Sequence, residues 1–135
     1  MVLKRHRSEL ALTLTLLFLA SAANGAVLEN DHLRLELNDE KGRIVALMAP
    51  GTGFNLVDPQ AKAPLWEIGL RQSGRPAVLP SAADTFEIVD MEQVPPALRL
   101  AWSDFDLDAA PALRVVVDVR LDTATPNSAW SIAVK

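Results

Sequence analysis

Hydrophobic and polar residues alternate along most of the chain after residue 25, and a period of two is typical of half-buried β-strands. The alternating segments predict seven strands, at His32–Leu37, Arg43–Met48, Leu65–Arg71, Phe86–Met91, Leu98–Trp102, Leu113–Asp122 and Ala129–Lys135. No segment after residue 25 keeps an apolar stripe of helical period for three turns. The predicted fold class is therefore all-β, an antiparallel β-sandwich that follows an N-terminal signal peptide helix.

The first two predicted strands form the clearest local unit. The polar run Asn38–Gly42 separates them, and Gly42 can take the positive φ that the end of a five-residue hairpin loop requires. The pattern therefore predicts a β-hairpin that includes Gly42 in its turn.

The first 25 residues predict a secretory signal peptide. Basic residues in Met1–Glu9 precede the uncharged apolar run Leu10–Ala23, and small residues follow in Ser21–Ala26. The run is shorter than the roughly 20 residues that span a bilayer, which disfavours a membrane anchor. We expect residues 1–25 to be removed, residues 26–135 to form a β-sandwich domain, and the product to be exported to the periplasm or the medium.

Charge and cysteine content narrow the classes of function. Without its first 25 residues the chain keeps ten basic and sixteen acidic residues, a net charge of −6. This charge argues against nucleic acid or an anionic membrane as a partner. The chain has no cysteine, which excludes disulfides, thiol nucleophiles and thiolate metal sites.

The last predicted strand contains Ser131–Lys135 and reaches the final residue without a turn or polar tail after it. An apolar strand in this position leaves a sheet edge that a finished sandwich would pair or cover. We therefore expect the sandwich domain to be incomplete at its C-terminus and the sequence to be a fragment of a longer protein.

Five segments together resemble a known domain: LENDHLRLEL (28–37), KGRIVAL (41–47), TGFNLV (52–57), PLWEIGL (64–70) and VVVDVRLD (115–122). They are similar to the N-terminal β-supersandwich, a galactose mutarotase-like domain, that precedes the (β/α)8 barrel of exported bacterial glycoside hydrolases. The resemblance implies a noncatalytic domain that supports the enzyme or forms a wall of its sugar-binding cleft. Its partners would be a C-terminal catalytic barrel in cis and, through the parent enzyme, carbohydrate.

The same resemblance implies no catalytic residue in this chain, because the catalytic carboxylates of that family lie on the barrel. The histidine pair and glutamate of mutarotases are not recognisable either, since His6 lies in the leader and His32 is the only other histidine. We therefore expect no catalytic, cofactor-binding or metal-binding residue and no cofactor, and the parent protein to be the enzyme.

Two short motifs have some of the residues of a ligand site. Asp104, Asp106 and Asp108 have the spacing of the first three ligands of a calcium loop, but Ala109 and Val115 stand where glycine and a bidentate glutamate are needed. The run Gly51-Thr52-Gly53 lacks the lysine and helix of a phosphate loop. Both are interpreted as turns.

Glycoside hydrolysis needs two carboxyl groups about 5–10 Å apart across a sugar. The candidates lie on polar strand faces, where charged residues are ordinarily solvated, and they are Glu36, Glu67, Glu87 and Asp118. No pair among them is predicted to be catalytic.

The tryptophans and the remaining histidine are also predicted to have structural roles and not to form a binding or catalytic site. Trp66, Trp102 and Trp130 share strand parity with aliphatic neighbours, which predicts that all three belong to the core. His32 is expected on the surface, without a partner for a triad or metal site.

Three other functions stay open. A stand-alone secreted carbohydrate-binding module requires exposed aromatic residues on a sheet face. A sugar epimerase requires at least two convergent titratable groups. A structural or adhesive sandwich domain also fits, because fold alone does not decide function.

Overall fold

The computed structural model describes residues 25–58, 60–71 and 74–135, which form two antiparallel β-sheets. A three-stranded sheet has the order β1-β2-β3, and a four-stranded sheet has the order β4-β5-β6-β7. The strands are β1 (Val27–Glu29), β2 (Arg34–Leu37), β3 (Ile44–Met48), β4 (Ala83–Gln93), β5 (Pro96–Phe105), β6 (Val115–Leu121) and β7 (Ser128–Val134). The prediction of an all-β, sandwich-like fold is confirmed.

The predicted leader, residues 1–25, lies outside the described residues except for Gly25. Among the residues that are described, the single helix is the 3-10 turn Pro80–Ala82, and no helix has the length and apolar character needed to cross a membrane.

The small sheet contains the predicted hairpin. Strand β2 pairs with β3 from Arg34↔Met48 to Leu37↔Ile44, and the turn between them has positive φ at Lys41 (66°) and Gly42 (73°). Asn38 closes the turn, because its backbone N–H donates to the carbonyl of Arg43 and its side-chain oxygen accepts the Arg43 N–H. The predicted conformation of Gly42 is confirmed.

The large sheet is a meander of four strands. A tight turn at residues 94 and 95, with a cis Val94–Pro95 peptide, joins β4 to β5. Strand β5 pairs with β6 from Ala97↔Arg120 to Trp102↔Val115, and β6 pairs with β7 from Val115↔Val134 to Leu121↔Ser128. Each side chain of β6 is thereby assigned to the inner or the outer face of the sheet.

The core lies between the two sheets and consists of the apolar members of the alternation. The small sheet contributes Leu28, Leu35 and Leu37, and the inner face of the large sheet contributes residues that are at most 4% exposed. These inner residues are Leu98, Leu100, Trp102, Val115, Val117, Val119 and Leu121. Burial of each such side chain contributes about 1.5–3 kcal/mol of transfer free energy.

Trp102 connects the two sheets. Its indole N–H donates a 3.1 Å hydrogen bond to the carbonyl of Lys41 in the β2–β3 turn. Its ring packs against Trp66 edge to face at 5.5 Å and against Phe86 at 5.2 Å. Gly42 sits on this cluster so closely that a Cβ atom would lie 3.0 Å from Trp102 and 3.1 Å from Phe86.

The predicted strand Leu65–Arg71 is wrong. This segment forms only an isolated bridge, in which Ile68 and Val78 exchange two backbone hydrogen bonds of 2.9 and 2.8 Å. Its alternation is nevertheless real, because Trp66 is buried while Glu67 and Gly69 are exposed. The alternation correctly predicted which side chains face the core, although the segment does not form a continuous ladder of backbone hydrogen bonds.

Strand β1 (Val27–Glu29) was not among the predicted strands. It is three residues long and only Leu28 of its side chains is buried, so it offers too few positions for a period to be recognised. The two differences offset each other, and the number of strands among the described residues is seven, as predicted.

The prediction that Trp130 belongs to the core is also wrong. Trp130, Ile132 and Val134 lie on the inner face of the large sheet, beside Val119, Val117 and Val115, but are 40%, 52% and 53% exposed. The alternation identified the correct face. The inner-face residues of β6 are buried, whereas every residue of β7 is exposed in the described part of the chain.

We expect Gly42→Ala to destabilise the fold more than Gly51→Ala. Both glycines have positive φ, so each substitution incurs strain of about 1–3 kcal/mol. Only at Gly42 does the added Cβ meet packed aromatic rings, which adds about 1–3 kcal/mol of overpacking, whereas nothing lies within 4 Å at Gly51. Chemical denaturation measures both losses, and equal losses would refute the packing of the turn on Trp102.

Candidate functional site

The outer face of the large sheet contains a depression of about 310 Å³ across β5, β6 and β7. Three rungs of paired residues line it: Ala97–Arg120–Ala129, Leu98–Val119–Trp130 and Arg99–Asp118–Ser131. Leu98, Val119 and Trp130 direct their side chains to the inner face, so the middle rung supplies a floor of backbone. The two flanking rungs provide the walls.

An ion pair forms one wall of the depression. Arg99 Nε donates to Asp118 Oδ1 at 2.6 Å and Arg99 Nη2 donates to Asp118 Oδ2 at 2.9 Å, a bidentate arrangement. The side chains are 49% and 44% exposed, so both remain accessible from solvent. The hydrogen bonds from Arg99 lower the pKa of Asp118, and the positive charges of Arg99, Arg120 and Lys135 lower it further.

The opposite wall carries Arg120 between two small residues, Ala97 and Ala129. Ser131 pairs with Asp118 on the adjacent strand and adds a hydroxyl to the same face. The depression is open because the small side chains of Ala97 and Ala129 flank the long side chain of Arg120. The depression thus presents a carboxylate with remaining acceptor capacity, guanidinium groups and a hydroxyl to one ligand volume.

Sequence reasoning placed Asp118 on a polar strand face, which is confirmed, but did not identify the depression. Arg99, Arg120 and Ser131 were not singled out there. They come from three different strands, and the pairing register that brings them together is not readable from the alternation of any one strand.

The other carboxylates considered for catalysis are dispersed in the structure. Glu36 accepts a 2.6 Å hydrogen bond from Arg34, which also pairs with Glu29. Glu67 lies in the segment with the isolated bridge, and Glu87 is exposed on the outer face of β4 opposite Ala101. Asp118 is the one among the four that lines the depression.

The run Gly51-Thr52-Gly53 is a turn in the structure, as predicted, and the aspartate motif is only partly outside the strands. Thr52 donates from its backbone N–H and its hydroxyl to the carbonyl of Ala49, with Gly51 and Gly53 at positive φ on either side. Asp104 belongs to β5, contrary to the prediction of a turn, whereas Asp106 and Asp108 lie in the loop after that strand. Within residues 25–58, 60–71 and 74–135, no three His, Cys, Asp or Glu side chains are grouped to hold a metal ion.

His32 is exposed in the bend before β2, and its backbone N–H donates to the side chain of Asn30. The surface position predicted for it is confirmed, although it precedes the strand rather than starting it.

A second concavity, of about 340 Å³, lies between the β2–β3 turn and the segment around Pro80. Two of its basic side chains bond to neighbouring backbone: Lys41 Nζ donates to the carbonyl of Ala83, and Arg43 Nη1 donates to the carbonyl of Ala61 at 3.3 Å. These contacts attach the turn to neighbouring backbone, so the outer-face depression is the better candidate for a ligand.

Comparisons of the chain with known protein families, with curated proteins and with solved structures found no match.

We expect Asp118 to contribute less than about 1 kcal/mol to stability, because the ion pair is close to half exposed. Its pKa is lower in the folded than in the unfolded chain, so this contribution is present above the unfolded value of about 4 and is lost as pH falls through the lower folded value. Denaturation of wild type and Asp118→Asn over a pH series should show the two stabilities converging at acidic pH.

The double variant Arg99→Gln/Asp118→Asn provides the control. Once Arg99 is replaced, the further change Asp118→Asn should have a smaller effect on stability and on its pH dependence. Additive losses would show that the two side chains are not coupled in solution.

Proposed function

We propose that this chain is a noncatalytic β-sandwich domain of an exported carbohydrate-active enzyme, with the outer-face depression forming one wall of the sugar-binding cleft. The observation that carries the proposal is the Arg99–Asp118 pair, held in a bidentate geometry beside Arg120 and Ser131. These four residues lie on three adjacent strands, and a site built on strands holds its side chains more precisely than a site built on loops.

The chemistry of these side chains suits a polyhydroxylated ligand. A carboxylate accepts hydrogen bonds from hydroxyl groups, while guanidinium and serine hydroxyl groups donate to ring and hydroxyl oxygens. The volume of about 310 Å³ is at the lower end of the range for small-molecule pockets. Because the depression is open and its floor is backbone, we expect weak binding that assists a larger cleft.

The proposed partner is a catalytic barrel in the same polypeptide. The segments that resemble the N-terminal domain of exported glycoside hydrolases support this assignment, and so does the leader-like sequence before residue 26. The catalytic carboxylates would then belong to the barrel, and the four-stranded sheet would orient Asp118 toward the sugar from outside the reaction centre.

The proposal is tested with the product of the intact gene, purified from the exported fraction. Its mass is measured first, and glycoside hydrolysis is assayed next. Asp118→Asn should raise KM by about tenfold with kcat unchanged, as expected when one charged hydrogen-bonding group contributes uniformly to substrate binding.

Asp106→Asn is the matched control, since it removes an exposed aspartate from a loop outside the depression. Equal kinetic effects of the two variants would refute a role for the depression. A secreted product of about 110 residues without hydrolytic activity would refute the assignment to a larger enzyme.

A second candidate function is a stand-alone secreted carbohydrate-binding module. The observation that favours it is the exposure of Trp130, which is 40% accessible at the edge of the sheet and donates a 3.0 Å hydrogen bond from its indole N–H to the Ser128 hydroxyl. An exposed aromatic ring can stack on a sugar ring. The sequence pattern, in contrast, predicts that Trp130 belongs to the core.

For this candidate we expect Trp130→Ala to abolish retention of the chain on immobilised polysaccharides, while Trp130→Phe keeps most of it because an aromatic face remains. Affinity electrophoresis in a panel of soluble glycans measures the retention. Unchanged mobility of the wild-type chain in every glycan would remove this candidate.

A further inference from the structure

We propose that β7 is a self-association edge, and that it pairs antiparallel with β7 of a second copy of this chain about a two-fold axis at Ser131. The inference goes beyond the proposed sugar-binding role and does not depend on it. It follows from the hydrogen-bonding edge, the charge pattern and the inner-face side chains of β7.

The free edge of β7 can be identified from its pairing with β6. Lys135 and Arg114 exchange two backbone hydrogen bonds of 2.9 and 3.0 Å, so Lys135 and every second residue before it point their backbone groups toward β6. The alternate residues, Ser128, Trp130, Ile132 and Val134, therefore point theirs away from the sheet. No strand in the described part of the chain pairs with that edge.

Within its seven residues, strand β7 carries none of the features that usually block strand addition, and Lys135 follows its last residue. Strand β7 has the sequence SAWSIAV, without charged residues or proline, and its pairing with β6 shows no bulge. Natural edge strands are commonly protected by lysine, proline, bulges or inward charges. Its inner face adds three exposed apolar side chains, so both the backbone and the side chains favour a partner strand.

The length of β7 defines the register. Ser131 is the middle of the seven residues Ser128–Val134, so a two-fold axis at Ser131 pairs the whole strand with its copy. In this register Trp130 hydrogen-bonds to the partner's Ile132, and Ser128 to the partner's Val134. Trp130 beside Ile132 is an aromatic–β-branched pair, which is favourable between neighbouring strands.

The charges at the two ends of β7 complement each other in this orientation. Arg114 and Lys135 make one end of the outer face basic, and Asp122, whose N–H bonds to the carbonyl of Asn127, makes the other end acidic. The axis at Ser131 aligns Lys135 with the partner's Asn127, next to the partner's Asp122. A parallel pairing would instead place Lys135 against Lys135, so the charges select an antiparallel second copy.

The resulting dimer has a continuous eight-stranded sheet. Its outer face would carry two Arg99–Asp118 depressions related by the two-fold axis, with the two Ser131 residues between them. A glycan long enough to cross the axis would then meet two equivalent polar walls.

Cysteine substitution tests the register, because the chain has no cysteine of its own. The two Ser131 residues form a non-hydrogen-bonded pair with Cα atoms about 4.5 Å apart, which is within the range for a disulfide. We expect the product of the intact gene with Ser131→Cys, exposed to mild oxidant, to migrate as a covalent dimer on a non-reducing gel.

Ala133→Cys is the matched control. Ala133 aligns with the partner's Ala129, so the two thiols that this substitution introduces would lie about 13 Å apart, which is four residues along the strand, and we expect no cross-link. Mixing the Ala133→Cys chain with the Ala129→Cys chain should restore the cross-link. A Ser131→Cys chain that stays reduced while the wild type remains folded would overturn the proposed pairing.

Sedimentation of the wild-type chain over a concentration series provides an independent measurement. We expect a species of about twice the monomer mass, and Ile132→Lys should weaken dimerisation at least about tenfold, since it places a charge in the centre of the pairing. Val94→Lys adds the same charge in the exposed β4–β5 turn and should leave dimerisation unchanged. A strictly monomeric wild type at every concentration would refute the proposal.

Discussion

The contact between the β2–β3 turn and Trp102 holds the two sheets in their arrangement. The indole N–H of Trp102 donates to the carbonyl of Lys41. The next residue, Gly42, lies so close to the ring that an added Cβ atom would be 3.0 Å from it. Lys41 extends its ammonium group to the carbonyl of Ala83 at the start of β4. The β2–β3 turn therefore contacts both the backbone of the large sheet and its most buried aromatic residue. A side chain at residue 42 would push the turn away from the large sheet.

Alternation predicted more about burial than about hydrogen bonding. It placed the side chains of β5 and β6 on the correct faces because those strands have a neighbour on each side and a covered inner face. At Leu65–Arg71 the same period was correct for Trp66 and Glu67, yet only one bridge forms. Hydrophobic spacing reports contact with a core, while a ladder also needs a partner of matching length, which a single segment does not encode.

The error at Trp130 and the missed depression share a physical origin. Both depend on which strands lie beside and above a residue, and pairing between strands is non-local. Trp130 has the parity of a core residue, but it and every other residue of β7 are exposed in the described part of the chain. Arg99, Asp118 and Ser131 come from three strands, so their meeting follows from the register of two separate hairpins. The sequence of each strand shows its polar residues but does not indicate that they lie side by side in the sheet.

The two faces of strand β7 differ in the size and polarity of their side chains. On its outer face Ala129 and Ser131 are small, which opens the depression beside Arg99 and Asp118. On its inner face Trp130, Ile132 and Val134 are large and apolar, and exposed. Small residues on one face allow a ligand or a second sheet to approach the backbone closely, while large residues on the other favour exclusion of water. A strand that has both properties, and whose outer edge no described strand pairs with, is suited to joining this sheet to another.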